Sequence, residues 1–283
     1  MKDFLAKPLS PSRLSSYTTC PLSFRYKYID GIPERPSRAA VRGNVIHRAM
    51  EAVFDHPAEL RTLEFIVGLL PEAVLAHLTD QPDAAYAIDE SLMWESGDTG
   101  TDIEVDPQAL ETFLQECAAL VRNYPLHAED PRRLEPAHRE IHLEAEISDS
   151  VKIHGIIDRV EVSPSGQVRI ADYKSGKCPP PAYQSKSWFQ MRVYALLYSK
   201  THGVVPDKLR LIYLTDSQHI ELSPEKYDFP ELEQSITATY ENIARDFADQ
   251  NFEPIKQSLC RFCSFQEICP AQGGTTLPFP TAR

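Results

Sequence analysis

The chain of 283 residues has no apolar run long enough to cross a membrane. Its most apolar stretch, from Phe65 to Leu78, is interrupted by Pro71 and Glu72 and also contains His77. The first residues, Met1 to Pro8, lack the apolar run of a secretory signal peptide. We therefore expect a cytoplasmic protein without a membrane-spanning segment.

Internal repeats and low-complexity tracts are also missing, and the amino-acid composition is ordinary for a globular protein. A chain of this length buries a sizeable core, either as one large domain or as one domain with an insertion. We expect one domain over residues 1–283.

Lysine and arginine are absent from residues 80–116, which carry eleven acidic residues. This segment explains most of the net charge of −12, which at first argues against a nucleic-acid partner. Residues 1–48 and 169–210, however, each carry a local charge of +6, and nucleic-acid binding requires local rather than global positive charge. These two segments are either a surface for phosphate groups or solvated faces of mixed charge.

A phosphate-binding loop is absent as well. Such a loop needs Gly-x4-Gly-Lys-Ser/Thr, but Ala171 stands at its first position and Cys178 at its last, around Gly176 and Lys177. The chain therefore has no motor of its own, and we expect it to act alone or with a separate helicase.

Four of the six cysteines lie towards the two ends of the chain. Cys20 stands alone, whereas Cys260, Cys263 and Cys269 form a Cys-x2-Cys-x5-Cys group. In a cytosolic protein this usage favours metal ligation over disulfides. Because the C-terminal group alone does not complete a four-ligand centre, Cys20 is expected to fold back and close one iron–sulfur or zinc centre.

The first half of the chain has helical patterns. Ser10 before Pro11 is typical of a helix start, and a loop is expected from Gly31 to Ser37. A helix from about Ala39 to Asp55 follows, with a buried side that we assign to Val45, Ala49, Ala52 and Val53. Residues 57–135 are predicted to form a mainly helical acidic insertion, interrupted by a turn-rich stretch at 94–107.

From Arg139 onwards the pattern changes to strands. We predict three strands, at Glu140 to Ile147, Ile153 to Val162 and Val168 to Tyr173. Residues Ser163 to Gly166 form the hairpin turn between the second and the third. A helix from Trp188 to Ser199, a strand from Lys208 to Leu214 and a long helix from Phe229 to Asn251 follow. This order predicts an α/β fold with a mixed central sheet, in which an antiparallel meander is flanked by helices.

Three charged side chains on these strands indicate a candidate metal site. Asp172 and Lys174 alternate to the same face of their strand, and the short hairpin brings Asp158 alongside. Two carboxylates close together among apolar neighbours need a cation between them, and oxygen ligands favour Mg²⁺ or Mn²⁺. A structural ion pair between Asp172 and Lys174 is the alternative.

Four short motifs resemble the PD-(D/E)XK nuclease superfamily, and specifically its RecB-type exonuclease branch, which includes CRISPR-associated adaptation nucleases. In chain order they are Gly43-Asn-Val-Ile-His47, Gly155-Ile-Ile-Asp158, Asp172-Tyr-Lys174 and Gln190-Met-Arg-Val-Tyr194. The resemblance extends from Leu9 to Pro270 and implies a restriction-endonuclease-like nuclease core.

The resemblance also implies roles for these residues. His47, Asp158 and Asp172 would bind the metal, with the Tyr173 carbonyl as a further candidate ligand. Lys174 would orient or deprotonate the attacking water and stabilise negative charge on the phosphorus oxygens.

Two further positions belong to the same implied site. Gln190 and Tyr194, one helical turn apart, would hold Lys174 or the DNA backbone, unless they are ordinary positions of an amphipathic helix. Imidazole among the ligands favours Mn²⁺ beside Mg²⁺. Glu140 opens the strand before the site and is assigned a structural or supporting role.

The same branch includes members that bind a [4Fe–4S] cluster through one N-terminal and three C-terminal cysteines. Cys20, Cys260, Cys263 and Cys269 match that layout, in cluster-binding ends at residues 1–28 and 252–272. Zinc is the less favoured alternative, because structural zinc sites usually combine two close pairs of ligands.

The resulting functional hypothesis is a metal-dependent DNA exonuclease. It would hydrolyse phosphodiester bonds of single-stranded or end-frayed DNA in repair or recombination. A catalytically inactive iron–sulfur module that binds DNA and a nuclease of CRISPR adaptation are the two alternatives.

Overall fold

The structure is a computed structural model that describes residues 2–95, 100 and 103–280. In this part of the chain, a five-stranded sheet lies between two layers of helices. The helices are α1 (Lys2–Leu5), α2 (Pro11–Thr19), α3 (Pro21–Tyr28), α4 (Arg38–Ala52), α5 (Leu63–Asp80), α6 (Ala85–Ile88), α7 (Pro107–Arg122), α8 (Ser185–His202) and α9 (Phe229–Ala248). The strands are β1 (His138–Ser148), β2 (Val151–Val162), β3 (Val168–Lys174), β4 (Lys208–Tyr213) and β5 (Gln218–Leu222).

The sheet has the order β1-β2-β3-β4-β5 and is mixed, as the sequence predicts. The first three strands form the antiparallel meander, and Gly166 closes the second hairpin with a left-handed φ of 83°. Helix α8 then crosses over so that β4 pairs parallel to β3, and β5 returns antiparallel to β4.

Two apolar layers cover the faces of the sheet. One face packs against α2, α3, α8 and α9, and its core includes Ile170, Leu197 and Leu211. The opposite face packs against α4, α5 and α7, with Ala171 and Tyr173 in its core. The helices predicted within residues 57–135 therefore join α4 in the core over this face of the sheet.

Helix boundaries follow local chemistry. The Ser10 side chain accepts a hydrogen bond from the Arg13 amide at 3.2 Å, which confirms the predicted cap of α2. Asp106 caps α7 in the same way, through the Gln108 and Ala109 amides. At the other end of α8, Gly203 has a φ of 71° that stops the helix.

Several sequence predictions need correction. Helix α8 begins at Ser185, three residues before the first large apolar side chain, and α9 ends at Ala248 because Gln250 has a left-handed φ of 54°. Strand β5 was not predicted, since its side chains are half-buried or exposed and alternate weakly. Ala52, which was assigned to the buried side of α4, is half-buried.

Part of the predicted acidic stretch at 94–107, namely residues 96–99 and 101–102, lies outside the described residues. Among the helices of the described segments, none combines the length and the apolarity that a membrane span requires.

Gly155 lies where the backbone of β2 closely approaches α8. A Cβ added there would lie 2.9 Å from the Tyr194 ring and 3.0 Å from Leu197 Cδ1, and both side chains are buried. We predict that Gly155→Ala lowers the free energy of unfolding by about 1–3 kcal/mol, because the buried ring cannot retreat without strain.

The matched control is Gly68→Ala in α5, where an added Cβ has no neighbour within 4 Å. This variant should raise the free energy of unfolding by up to about 1 kcal/mol, since alanine favours helix over glycine. Urea denaturation curves of the two variants measure both values. Equal stability of Gly155→Ala and the wild type would contradict the tight packing.

Candidate active site

Three side chains from three different elements converge at one edge of the sheet. His47 comes from α4, Glu140 from β1 and Asp158 from β2, and one ligand atom of each lies within 4.8 Å of the others. We call these three residues the metal-ligand group. Imidazole and carboxylate oxygens are donors suited to Mn²⁺ or Mg²⁺, so the group fits the divalent ion that the sequence predicts.

His47 is held in place from two sides. Its Nδ1 lies 3.3 Å from Asp158 Oδ2, and its Nε2 donates to the Tyr173 carbonyl oxygen at 2.8 Å. Burial lowers the pKa of His47, but the Asp158 carboxylate outweighs this and raises the value to about 9. The predicted ligand atoms of His47 and Tyr173 are thus directly adjacent.

Glu140 belongs to the metal-ligand group, whereas the sequence analysis gave it only a structural or supporting role. Its neighbours in β1 pair with Arg159 and Ile157, so Glu140 lies opposite Asp158. Its backbone has a φ of 42°, which is strained for a residue with a side chain. Burial, followed by the charge of Asp158, raises the pKa of Glu140 to about 7. The hairpin register was the signal that could have identified this residue.

The other four predicted residues form a hydrogen-bonded set, which we call the lysine network. Lys174 Nζ lies 2.6 Å from Asp172 Oδ2 and donates to Gln190 Oε1 at 2.9 Å. Gln190 Nε2 lies 3.2 Å from Asp172 Oδ1 and 2.7 Å from the Tyr194 hydroxyl. The structure therefore brings together Asp172, Lys174, Gln190 and Tyr194, and Gln190 holds the lysine.

The pKa values of the two buried carboxyls, Asp158 and Asp172, shift in opposite directions. Burial, together with the charge of Asp158, raises the pKa of Asp172 to about 6, even though Lys174 acts to lower it. Burial also acts to raise the pKa of Asp158, but His47 holds it below its usual range. Lys174 is an ammonium ion, since the attraction of Asp172 raises its pKa despite burial. Each carboxylate therefore has its own cationic partner.

Tyr173 links the site to the opposite face of the sheet. Its amide donates to Asp158 Oδ2 at 2.8 Å, and its hydroxyl lies 2.5 Å from Arg159 Nη1. The Arg159 side chain is 1% exposed and pairs with Glu129, which is fully buried, and with Glu161. Such a buried ionic cluster fixes the side chain of Tyr173. It thereby also fixes β3, the strand that carries Asp172 and Lys174.

The four predicted cysteines meet at a different place. Cys20, Cys260, Cys263 and Cys269 line one cavity of about 240 Å³, which we call the cysteine cavity. Burial raises the pKa of the Cys263 thiol, and the nearby thiols of Cys20 and Cys269 add to this effect. Backbone amides of Ile255 and Gln257 lie 3.5 Å and 3.3 Å from the sulfurs of Cys20 and Cys260.

The spacing of the sulfurs differs from that of a zinc site. Tetrahedral ligation at the usual Zn–S length places sulfurs about 3.8 Å apart. Among the residues that the structure describes, no three of these sulfurs lie within 4.8 Å of one another. The two remaining cysteines lie elsewhere. Cys117 is buried between helices, and Cys178 is half-buried, with its backbone amide donating to the Asp216 carboxylate.

Comparison with known proteins agrees with this geometry. The sequence model of the PD-(D/E)XK nuclease superfamily matches residues 8–270. The Gene 69 proteins of Mycobacterium phages D29 and L5 are 25% and 24% identical to this chain; each comparison covers 92% of this chain, and 96% and 95% of the phage proteins.

A solved structure, described as the crystal structure of SSO0001, is 20% identical with a TM-score of 0.33. It covers 48% of this chain, which spans 60% of that structure. The match of the family model over most of the chain, together with the five-stranded mixed sheet, shows that the chain belongs to the PD-(D/E)XK nuclease superfamily.

Proposed function

We propose that the protein is a metal-dependent DNA exonuclease that hydrolyses phosphodiester bonds. The observation that supports this most strongly is the position of Lys174, which is held between Asp172 and Gln190. A structural ion pair would not require Gln190 to hold the amine, nor a metal-ligand group beside it. The alternative of a simple Asp172–Lys174 ion pair therefore explains less of the arrangement.

The resemblance implies that a divalent ion would be held by His47, Asp158 and Asp172. The structure brings His47 and Asp158 together with Glu140 and the Tyr173 carbonyl, whereas Asp172 is paired with Lys174. Mg²⁺ or Mn²⁺ supplies Lewis acidity and lowers the pKa of a bound water. Binding of the ion would displace the proton from His47, so that Asp158 and Glu140 would lie together without a cation. The ion would then supply the positive charge that these two carboxylates need.

Lys174 acts through its charge. Its pKa is raised, so the amine stays protonated at neutral pH and stabilises negative charge that develops on the phosphorus oxygens. Gln190 accepts from this ammonium and contacts the Tyr194 hydroxyl, which restricts Lys174 to one orientation.

The preference for single-stranded or end-frayed DNA and the role in repair or recombination rest on the resemblance to RecB-type exonucleases. Since the given sequence contains no phosphate-binding loop, we propose that a separate helicase supplies any unwinding that the substrate needs.

We predict that Lys174→Met and Asp172→Asn each lower nuclease activity at least about 100-fold, since each removes charge from the reacting centre. Lys200→Met is the matched control, because Lys200 lies on α8 and pairs with Glu233 away from the site. Release of labelled nucleotides from single-stranded DNA with Mn²⁺ measures the rates. Unchanged activity in Lys174→Met would reject the enzyme assignment and favour a DNA-binding module.

Metal binding should depend strongly on pH. In the metal-free protein the pKa of His47 is about 9, so a proton occupies this ligand at pH 7.5 and must leave when the metal binds. We predict that Mn²⁺ affinity rises as the pH increases from 6.5 towards 9. About one proton per ion should be released at pH 7.5, and far less above the pKa of His47.

Calorimetry of Mn²⁺ binding in two buffers of different ionisation enthalpy measures the released protons. The control is Glu72→Gln, an exposed carboxylate on α5 outside the cavities around His47, which should release the same proton. An affinity that does not change between pH 6.5 and 9 would contradict the protonated state of His47.

We also propose that the cysteine cavity holds a [4Fe–4S] cluster. The four thiols converge on one cavity from both ends of the chain, and among the described residues no three of their sulfurs lie within 4.8 Å of one another. A cubane cluster binds each cysteine at a different iron, which suits a wider spacing. We assign the cluster a structural role, since it joins α2 and α3 to the C-terminal segment.

Anaerobically purified protein should therefore be brown, with about four irons and four sulfides per chain. Cys20→Ser should lose the colour and melt at a lower temperature. Cys178→Ser is the control, because Cys178 is half-buried outside the cysteine cavity, and it should keep both. Colourless protein with one zinc per chain would show that zinc occupies the site instead.

A further inference from the structure

Two cavities meet at the lysine network and together form a groove across it. The first, of about 620 Å³, extends between α2 and α8 and is lined by Ser12, Ser15 and Lys186. The second, of about 400 Å³, extends past Gly43 to Lys177. Lys174 and Ser187 line both cavities, so the groove is continuous at the reacting centre.

Within the described residues, neither wall of this groove contains an aspartate or a glutamate. This is unusual for a chain with 41 acidic residues and a net charge of −12. On the other side of His47, a cavity of about 370 Å³ is lined by Glu51 and Glu140. Anionic ligands are therefore favoured on one side of the metal-ligand group and disfavoured on the other.

The two outer lysines of the groove have no acidic partner among the ion pairs of residues 2–95, 100 and 103–280. Lys186 Nζ contacts only the Thr19 hydroxyl, at 3.2 Å, and is exposed. Lys200, on the same helix, is neutralised by Glu233 at 2.8 Å. The unneutralised Lys186 and Lys177 therefore line the two cavities that meet at Lys174, whose own charge is balanced by Asp172.

We propose that this groove binds the sugar–phosphate backbone of a single DNA strand, which passes from Lys177 over Lys174 to Lys186. This inference rests on the proposed nuclease function, because it assigns the substrate contacts of that same site. Lysines and serine hydroxyls bind phosphate without reading bases, so binding is independent of sequence.

The far end of the groove adjoins the cysteine cavity. Thr19, which contacts Lys186, lines that cavity beside Cys20, and its carbonyl accepts from Gln257 Nε2 at 2.9 Å. Helix α2 forms a wall of the groove and ends at Cys20. The cysteine centre therefore fixes one wall of the strand-binding surface, although it does not contact the metal-ligand group.

The experiment measures binding of fluorescent single-stranded DNA of about 16 nucleotides by anisotropy. EDTA in the buffer prevents cleavage, so binding is measured separately from catalysis. Lys177→Ala and Lys186→Ala should each weaken binding about fivefold, and each should reduce the slope of log K against log salt by about 0.7. Lys200→Ala should bind like the wild type, and all three should melt at the wild-type temperature.

The same strand in a blunt duplex should bind at least fivefold more weakly. If Lys177→Ala,Lys186→Ala binds DNA within twofold of the wild type with an unchanged salt slope, the proposed groove is wrong. Equal binding of the duplex would overturn the assignment to a single strand. Loss of binding in the lysine variants, with no cleavage by the wild type in Mn²⁺, would instead reject the nuclease function and retain the groove.

Discussion

The structure is organised around two buried carboxylates, Asp158 and Asp172, at the end of the β2–β3 ladder. Their repulsion would be costly in a position of such low exposure, so the fold supplies one cation for each. His47 from α4 balances Asp158, and Lys174 from the same strand balances Asp172. The apolar cores bring α4 and α8 to the sheet, where α4 supplies His47 and α8 supplies the Gln190 that holds Lys174.

Much of this arrangement could be predicted from the sequence, because it depends on local patterns. Strand alternation placed Asp172 and Lys174 on one face, and helical spacing placed Gln190 and Tyr194 on one face of α8. That Gln190 holds the lysine, with Tyr194 behind it, came from the family resemblance and not from spacing. Strand β5 could not be predicted in the same way, because its weakly alternating side chains are explained only by pairing with β4.

Glu140 and the buried ionic cluster show what local patterns omit. Glu140 faces Asp158 through hairpin register and a strained backbone, which depends on contacts between strands. Glu129 reaches Arg159 from a segment 30 residues earlier, and no spacing rule connects them. The Tyr173 hydroxyl contacts Arg159 of this pair, and the Tyr173 amide donates to Asp158. Tyr173 therefore connects the buried ionic cluster to the metal-ligand group.

The cysteine cavity and the active site are connected by one short helix. Helix α2 is capped at its start by Ser10, which lines the groove, and at its end by Cys20, which lines the cysteine cavity. A helix of nine residues is too short to be stable without tertiary contacts, and Leu14 and Tyr17 provide some of them in the core. The cap at Ser10 and the bonds of Leu9 with β2 hold its first end, and Gln257 bonds to the Thr19 carbonyl at the second. The proposed cluster would add a further restraint at Cys20 and so contribute to substrate binding through the position of this wall, without any redox step.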